Sequence, residues 1–206
     1  MVCACAAMLW VQPASAHDAH QQAAKAGGEV AASPRPVLLD IQYRKSAIKL
    51  VRHDGTEIDF IDAIDTPGPI FLNFIYTSCT TVCPLMGQIF AELQPMLRAR
   101  GRGARMISVS IDPEYDTPTR LSEHATAIGA GTDWHFYTGT LKSSEDLQQA
   151  FGVYTPDKMN HPIATFYRAS KGARWVRIDG FATPAELLQT VESFGRSRPR
   201  PASKTR

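Results

Sequence analysis

The 206-residue sequence has little net charge and few cysteines. Its 22 Lys and Arg residues nearly balance its 20 Asp and Glu residues, so composition gives no support for nucleic-acid binding. Four cysteines are too few for a disulfide framework, and a chain of this length can bury a sizeable core without one. We therefore expect one globular domain with tails, in which the positions of the cysteines matter more than their number.

The sequence also lacks an apolar run of the about 20 residues that cross a bilayer. Residues 1–16 contain only a short apolar run, carry no charged side chain, and end in the A-S-A pattern that signal peptidase cuts. We interpret 1–16 as a signal peptide rather than a buried first helix, although no Lys or Arg precedes the run. Cleavage would remove Cys3 and Cys5. The mature protein is then expected in the periplasm or another extracytoplasmic compartment, soluble or membrane-associated.

Two further segments are expected to lie outside the folded domain. Residues 17–36 are rich in Ala, Gln and Gly and are predicted to form a flexible leader. Residues 196–206 contain five basic side chains and no acidic one, a composition typical of a disordered tail. The predicted domain is therefore 37–195.

Hydrophobic patterns in the domain predict alternating strands and helices. Asp54-Gly55 between two apolar alternations indicates a hairpin of residues 47–50 and 57–60. The elements predicted after it are a strand at 70–76, a helix with Pro84 in its first turn, a strand at 106–111, a helix capped by Thr117, a strand at 136–137, a helix capped by Ser143, strands at 163–167 and 175–178, and a helix opened by a Thr183–Glu186 capping box. This order predicts an α/β domain with a mixed central sheet, helices on both faces and an N-terminal β-hairpin.

Cys79 and Cys83 lie between the strand at 70–76 and the helix that follows it, where open α/β sheets bind ligands. The free N–H groups and the dipole of a helix N-terminus favour thiolate there. A thiolate is both a nucleophile and a soft metal ligand, and the same spacing can close a disulfide. The alternative is an inert disulfide or two buried thiols, but such cysteines usually lie inside secondary-structure elements. We expect this loop to carry the chemistry.

Two thiolates are an incomplete metal site, so a third ligand is sought among the six histidines. His161 directly precedes the strand at 163–167. In a thioredoxin-like sheet this strand lies beside the first βα unit, so the loop before it faces the cysteines; the alternative is an ordinary surface or core histidine. Thiolates favour Cu(I), imidazole also suits Cu(II), and the same three ligands suit catalytic Zn²⁺. An exposed, exported site with few ligands favours copper transfer.

The sequence resembles the SCO/SenC family of thioredoxin-like copper chaperones, which act in cytochrome c oxidase assembly. Three segments carry the resemblance: FLNFIYTSCTTVCPLMGQIFAELQPML at 71–97, SVSIDPEYDTPTRL at 108–121, and MNHPIATFYR at 159–168. The resemblance implies that Cys79, Cys83 and His161 are copper ligands. It also implies that Asp112 and Asp116 lie near the metal and act in partner recognition or metal acceptance, with a turn and helix-capping role as the alternative.

A thioredoxin-like fold often has a cis-proline before the strand that follows the last crossover helix. His161 is followed directly by Pro162. We therefore predict a cis His161–Pro162 bond.

The function that the resemblance implies is a metal-binding and transfer protein rather than an enzyme. It would deliver Cu(I) or Cu(II) to the binuclear copper site of cytochrome c oxidase subunit II. The expected partners are subunit II, an upstream copper donor and a thiol reductase that keeps the sulfurs reduced. Contact with a membrane would be peripheral or through an uncleaved leader.

Two other functions stay open at the level of the sequence. The first is an exported thiol–disulfide oxidoreductase, in which Cys79 and Cys83 form a redox-active pair that reduces the copper-site cysteines of the oxidase. The second is a thioredoxin-like binding module without an active dithiol. Only the copper chaperone requires His161 as a ligand, so this residue separates the hypotheses.

Overall fold

The computed structural model describes residues 36–41, 47–101 and 103–195. The predictions for residues 1–16 and 196–206, and nearly all of the predicted leader 17–36, lie outside these residues. Within the part of the chain that is described, none of the helices combines the length and the apolar character needed to cross a membrane.

The described residues form eight β-strands, five α-helices and one 3₁₀ helix. In chain order these are β1 (Val37–Leu39), β2 (Lys49–Arg52), β3 (Glu57–Asp59), α1 (Phe60–Ile64), β4 (Ile70–Ile75), α2 (Val82–Ala99), β5 (Arg105–Ser110), α3 (Pro118–Ala127), β6 (Trp134–Gly139), α4 (Leu141–Ala150), the 3₁₀ helix (Lys158–Asn160), β7 (Ala164–Arg168), β8 (Trp175–Asp179) and α5 (Pro184–Phe194).

All eight strands form one mixed sheet, as the sequence predicts. Its order is β1-β8-β7-β4-β5-β6-β2-β3. Strands β4, β5 and β6 are parallel, because α2 and α3 return the chain across the sheet, whereas β7 pairs antiparallel with β4. The carboxyl ends of β4 and β5 and the amino end of β7 therefore meet at one edge of the sheet. That edge receives the loop after β4, the loop after β5 and the segment before β7.

Most predicted elements are present, with two differences. The hairpin of β2 and β3 turns at Gly55, whose φ of +86° is easily reached by glycine, but the chain enters helix α1 at Phe60 instead of extending the strand. Helix α4 begins one turn before the predicted cap. The hydroxyl of Thr140 accepts the Ser143 N–H at 3.1 Å, so Thr140 is the N-cap and the prediction of Ser143 is wrong. The Thr183–Glu186 capping box of α5 is confirmed.

Helices cover both faces of the sheet. Along β4, Leu72 and Phe74 belong to one apolar core and Phe71 and Ile75 to a second, because successive side chains of a strand point to opposite faces. The first core contains residues of α1 and α4, and the second contains residues of α2, α3 and α5. The loop after β4 joins the first core, where Tyr76 and Cys79 are buried.

The first core is organised around the ring of Phe151, which directly follows α4. Four aromatic rings meet it edge to face, with centroids 4.8–6.0 Å away: Phe60, Phe74, Phe166 and Trp175. These elements come from distant parts of the chain, so one ring connects α1, β4, β7 and β8. Edge-to-face pairs add to the free energy gained by burying each ring.

We expect Phe151→Ala to lower the free energy of unfolding by about 3–5 kcal/mol, because it leaves a cavity among four rings. Phe181→Ala is the matched control. Its ring is 40% exposed, so a loss of about 0.5 kcal/mol or less is expected. Urea denaturation followed by fluorescence and circular dichroism measures both. Equal losses in the two variants would contradict the central position assigned to Phe151.

Candidate metal and redox site

The two cysteines of the described chain lie at the start of α2 and are both free thiols. The loop turns sharply after β4, where the Tyr76 carbonyl accepts the Cys79 N–H at 3.2 Å. Helix α2 begins at Val82, so Cys83 lies in its first turn, as the sequence predicts. The Cys83 N–H points at the Cys79 sulfur, with a distance of 3.4 Å from N to Sγ. The loop therefore aims a helix N–H group at one of the two sulfurs.

The two thiols have opposite pKa shifts. Burial raises the pKa of Cys79, but hydrogen bonds from the backbone N–H groups of Cys83 and Thr81 and from the Thr81 hydroxyl outweigh it, and the pKa falls to about 6. Burial raises the pKa of Cys83 to about 12, and the neighbouring Cys79 and Asp116 add to this effect. Near neutral pH the loop thus holds one thiolate and one protonated thiol. This pair can bind a soft metal ion or begin thiol–disulfide exchange.

The side chain of Asp116 holds the start of the cysteine loop in place through hydrogen bonds. Its carboxylate is fully buried and accepts the Thr77 N–H at 3.2 Å, the Thr77 hydroxyl at 2.5 Å and the Ser110 hydroxyl at 2.6 Å. Thr77 follows β4 and Ser110 ends β5, so one side chain ties together two loops at this edge of the sheet. Helix α3 is capped by Thr117 instead. Asp116 therefore acts on the cysteine loop through these buried hydrogen bonds.

Asp112 is placed differently from Asp116, although the sequence presents them as a pair. It lies in the loop after β5, its side chain is 13% exposed, and it forms a 2.5 Å ion pair with Lys158. The Lys158 ammonium also lies 5.6 Å from the centre of the Tyr76 ring. Asp112 and Tyr76 therefore hold the 3₁₀ helix against the cysteine loop.

A second anchor of this segment is a sulfur contact. The Tyr76 hydroxyl donates to Met159 Sδ at 3.5 Å. Burial raises the pKa of Tyr76 to about 12, and the neighbouring Cys79 side chain contributes to the shift. Asp157 orders the segment itself, since its carboxylate accepts the Met159 N–H at 2.9 Å and the Asn160 side-chain amide at 2.8 Å.

His161 follows directly on this anchored segment. Its ring centre lies 6.2 Å from that of Phe74, and its Nε2 is buried without a hydrogen-bond partner. Burial lowers the pKa of His161 to about 4, and the charge of Arg177 adds to this. The imidazole is therefore neutral, which is the form that ligates metals. A buried ring nitrogen without a partner is costly unless it binds a ligand.

The His161–Pro162 bond is trans, so the cis prediction is wrong. His161 has φ −61° and ψ 127°, an extended conformation that residues before proline favour. Strand β7 begins only at Ala164, so Pro162 belongs to the approach to the strand and not to the strand itself.

The structure brings the predicted ligands to one edge of the sheet without assembling them. Among the described residues, no three His, Cys, Asp or Glu side chains lie close enough together to hold a metal ion. The donors nevertheless suit a soft ion such as copper, because Cys79 and Cys83 are free and the His161 Nε2 has no partner. Completing the set would require the His161 segment to shift toward the sulfurs.

Sequence reasoning missed several residues that shape this site. Tyr76 and Met159 contact each other across the two segments, and Thr77 and Lys158 bind the two aspartates. The sequence carried a signal for Thr77 and Met159, since each stands two residues before a predicted ligand, Cys79 or His161. The other contacts depend on the pairing of β4 with β5 and β7.

Comparison with known proteins identifies similar chains. Residues 43–195, more than half of the chain, match the family model described as SCO1/SenC. A curated relative, the SCO1 protein homolog of Bacillus subtilis (strain 168), is 40% identical over 78 residues, which span 37% of this chain and 40% of that protein. The match therefore covers less than half of the relative's length.

Two solved structures have a similar fold. Yeast Sco1 with copper bound has a TM-score of 0.65 at 16% identity, with 80% of this chain and 99% of that chain covered. BsSco, described as having a disulfide switch and as a member of the Sco family of cytochrome c oxidase assembly proteins, has a TM-score of 0.64 at 21% identity, with 80% and 98% covered. At these identities the likeness shows the thioredoxin-like Sco fold.

We expect Asp116→Ala to loosen the cysteine loop and to lower the free energy of unfolding by about 3 kcal/mol, because the donors of Thr77 and Ser110 lose a buried acceptor. The Thr77 amide should also exchange its hydrogen faster. Glu114→Ala is the matched control, because Glu114 is an exposed acidic residue in the loop after β5 that also contains Asp116. It should change neither the stability nor the exchange rate. Native-state hydrogen exchange and urea denaturation measure both. Identical behaviour of the two variants would show that Asp116 does not hold the loop.

Proposed function

The chain belongs to the SCO1/SenC family, and from that premise we propose that it binds copper through Cys79, Cys83 and His161. It delivers the ion to the binuclear copper site of cytochrome c oxidase subunit II during assembly. The protein is a metal carrier rather than an enzyme in this proposal. Copper is the cargo, and it exchanges between ligands of the carrier and ligands of the acceptor.

The observation that carries the proposal is the buried, partnerless Nε2 of His161 on a segment held against two free thiols. Lys158 binds Asp112, and Met159 contacts Tyr76, so the residues just before His161 are already attached to the cysteine loop. The three donors come from segments that meet at the same edge of the sheet, and a rearrangement of these segments brings them around a common ion. Two thiolates and one imidazole suit both oxidation states of copper.

Each ligand has a distinct task in binding. Cys79, with a pKa of about 6, is available as a thiolate near neutral pH. Cys83 has a raised pKa and must release its proton as it binds. His161 is already neutral and brings a ring nitrogen without giving up a proton. A partly open site with three ligands leaves copper accessible to an acceptor.

Copper binding and a role in oxidase assembly, which are described for similar proteins, support this function. Yeast Sco1 has been solved with copper bound. BsSco is described as a cytochrome c oxidase assembly protein. We extend both properties to this chain, because its free thiols and its neutral histidine supply the donors that such a role requires.

The remaining parts of the proposal concern the cellular setting. Residues 1–16 act as an export signal, 17–36 as a leader, 37–195 as the copper-binding domain and 196–206 as a basic tail. The protein works in the periplasm or another extracytoplasmic compartment, soluble or attached at the membrane. In an oxidising compartment the two thiols need a reductase partner before they can bind metal, and copper comes from an upstream donor.

We expect the reduced protein to bind one copper ion, with Cys79→Ser and Cys83→Ser each abolishing tight binding. His161→Ala should weaken binding by at least about tenfold, since it removes a ligand. His135→Ala is the matched control: it is a half-buried histidine at the start of β6, at the opposite edge of the sheet. Competition titrations with a copper chelator measure all four. An affinity of His161→Ala equal to that of the control would remove His161 from the ligand set.

A second candidate function is thiol–disulfide exchange with the copper-site cysteines of the oxidase. The contact of the Cys83 N–H with the Cys79 sulfur favours it, because it brings the cysteine of the loop close to the cysteine of the first helix turn, so that the two can close a disulfide. The disulfide switch described for BsSco supports the same chemistry. This function needs both cysteines and does not need His161.

The two functions predict opposite behaviour of one variant. For a reductase, His161→Ala should exchange disulfides with a peptide that carries the acceptor's two cysteines as fast as the unmodified protein does. For a copper carrier, the same variant should lose copper delivery to that peptide. Exchange rates and copper transfer can be followed in parallel by mass spectrometry. Normal exchange by His161→Ala, together with no stoichiometric copper binding or delivery by either protein, would favour the reductase.

A further inference from the structure

Met159 is the most exposed of the large apolar side chains that the structure describes, at 69% of its full accessible surface. Packing against the core does not explain its position. The backbone around it is nevertheless well tied, because the Asp157 carboxylate accepts the Met159 N–H and Lys158 forms an ion pair with Asp112. The structure thus holds an exposed thioether at a defined place.

That place is the mouth of the cysteine loop. The Tyr76 hydroxyl donates to Met159 Sδ at 3.5 Å, and burial followed by the neighbouring Cys79 side chain raises the pKa of Tyr76. The Tyr76 residue therefore links Met159 to the start of the cysteine loop, where the Tyr76 carbonyl accepts the Cys79 N–H. A thioether sulfur has two lone pairs, so Met159 Sδ keeps one of them free for a metal ion while it accepts the Tyr76 proton.

A thioether is a soft, neutral donor with no proton to lose, and such donors select Cu(I). In the structure described, His161 Nε2 is buried, whereas Met159 lies at the surface and contacts Tyr76, which directly precedes the cysteine loop. Met159 is therefore a sulfur donor that an ion at the mouth of the site meets without movement of the core.

We propose that Met159 is an additional ligand of Cu(I), joining the sulfurs of Cys79 and Cys83. The inference rests on the proposed copper binding by these two cysteines. When the ion binds, the bond from copper to the thioether forms as the bond to the outgoing ligand of the donor breaks. The oxidation state of copper does not change, and the proton of Cys83 passes to solvent. Because a thioether binds Cu(II) poorly, the extra ligand favours the reduced ion.

The test compares Met159→Leu with the unmodified chain. Leucine conserves the size of the side chain and removes the sulfur. Met96→Leu, at a partly buried methionine of α2, is the matched control. Under anaerobic, reducing conditions, competition with a Cu(I) chelator should show at least about a tenfold loss of Cu(I) affinity in Met159→Leu and none in Met96→Leu. The Cu(II) affinity of both variants should stay unchanged.

X-ray absorption of the Cu(I) complexes gives an independent readout. The complex of Met159→Leu should contain one fewer sulfur neighbour than those of the unmodified chain and of Met96→Leu. An unchanged affinity and sulfur count in Met159→Leu, with binding abolished by Cys79→Ser, would overturn the inference and leave the proposed function standing. Copper binding that survives Cys79→Ser and Cys83→Ser would overturn both.

Discussion

The buried carboxylate of Asp116 is the interaction on which the site depends. Parallel pairing places the ends of β4 and β5 side by side, but it does not set the course of the chain beyond them. Asp116 does so by accepting hydrogen bonds from Thr77 on one side and Ser110 on the other. Because a buried acceptor of this kind cannot exchange its partners for water, the turn that carries Cys79 has a defined geometry.

The position of the segment that leads to His161 depends on the same turn after β4. Tyr76 leaves β4 just before Thr77, and its ring and hydroxyl meet Lys158 and Met159. The segment is thus held near the thiols by contacts that involve neither the sulfur of Cys83 nor the imidazole of His161. Such an arrangement keeps the donors close while leaving them free to rearrange around an ion, which suits a protein that must both take up and release its cargo.

Much of the architecture followed from local patterns. Asp54-Gly55 predicted the hairpin, the apolar runs predicted β4 and β5, and Thr183 with Glu186 predicted the start of α5. These signals are local because a turn or a cap needs only residues within one or two turns of the chain. The N-cap of α4 is Thr140 and not the predicted Ser143, because both residues carry a hydroxyl and only the direction of the backbone selects between them.

The sequence alone determined that two cysteines stand at the mouth of a helix and that a histidine precedes a later strand, because these facts depend on spacing and chemistry along the chain. Tertiary structure decided that Asp116 is buried while Asp112 meets Lys158, and that the Met159 sulfur reaches Tyr76. Two aspartates four residues apart look equivalent in a sequence. Their difference arises from strand pairing, which sets the direction of each side chain and brings residues more than 80 positions apart into contact.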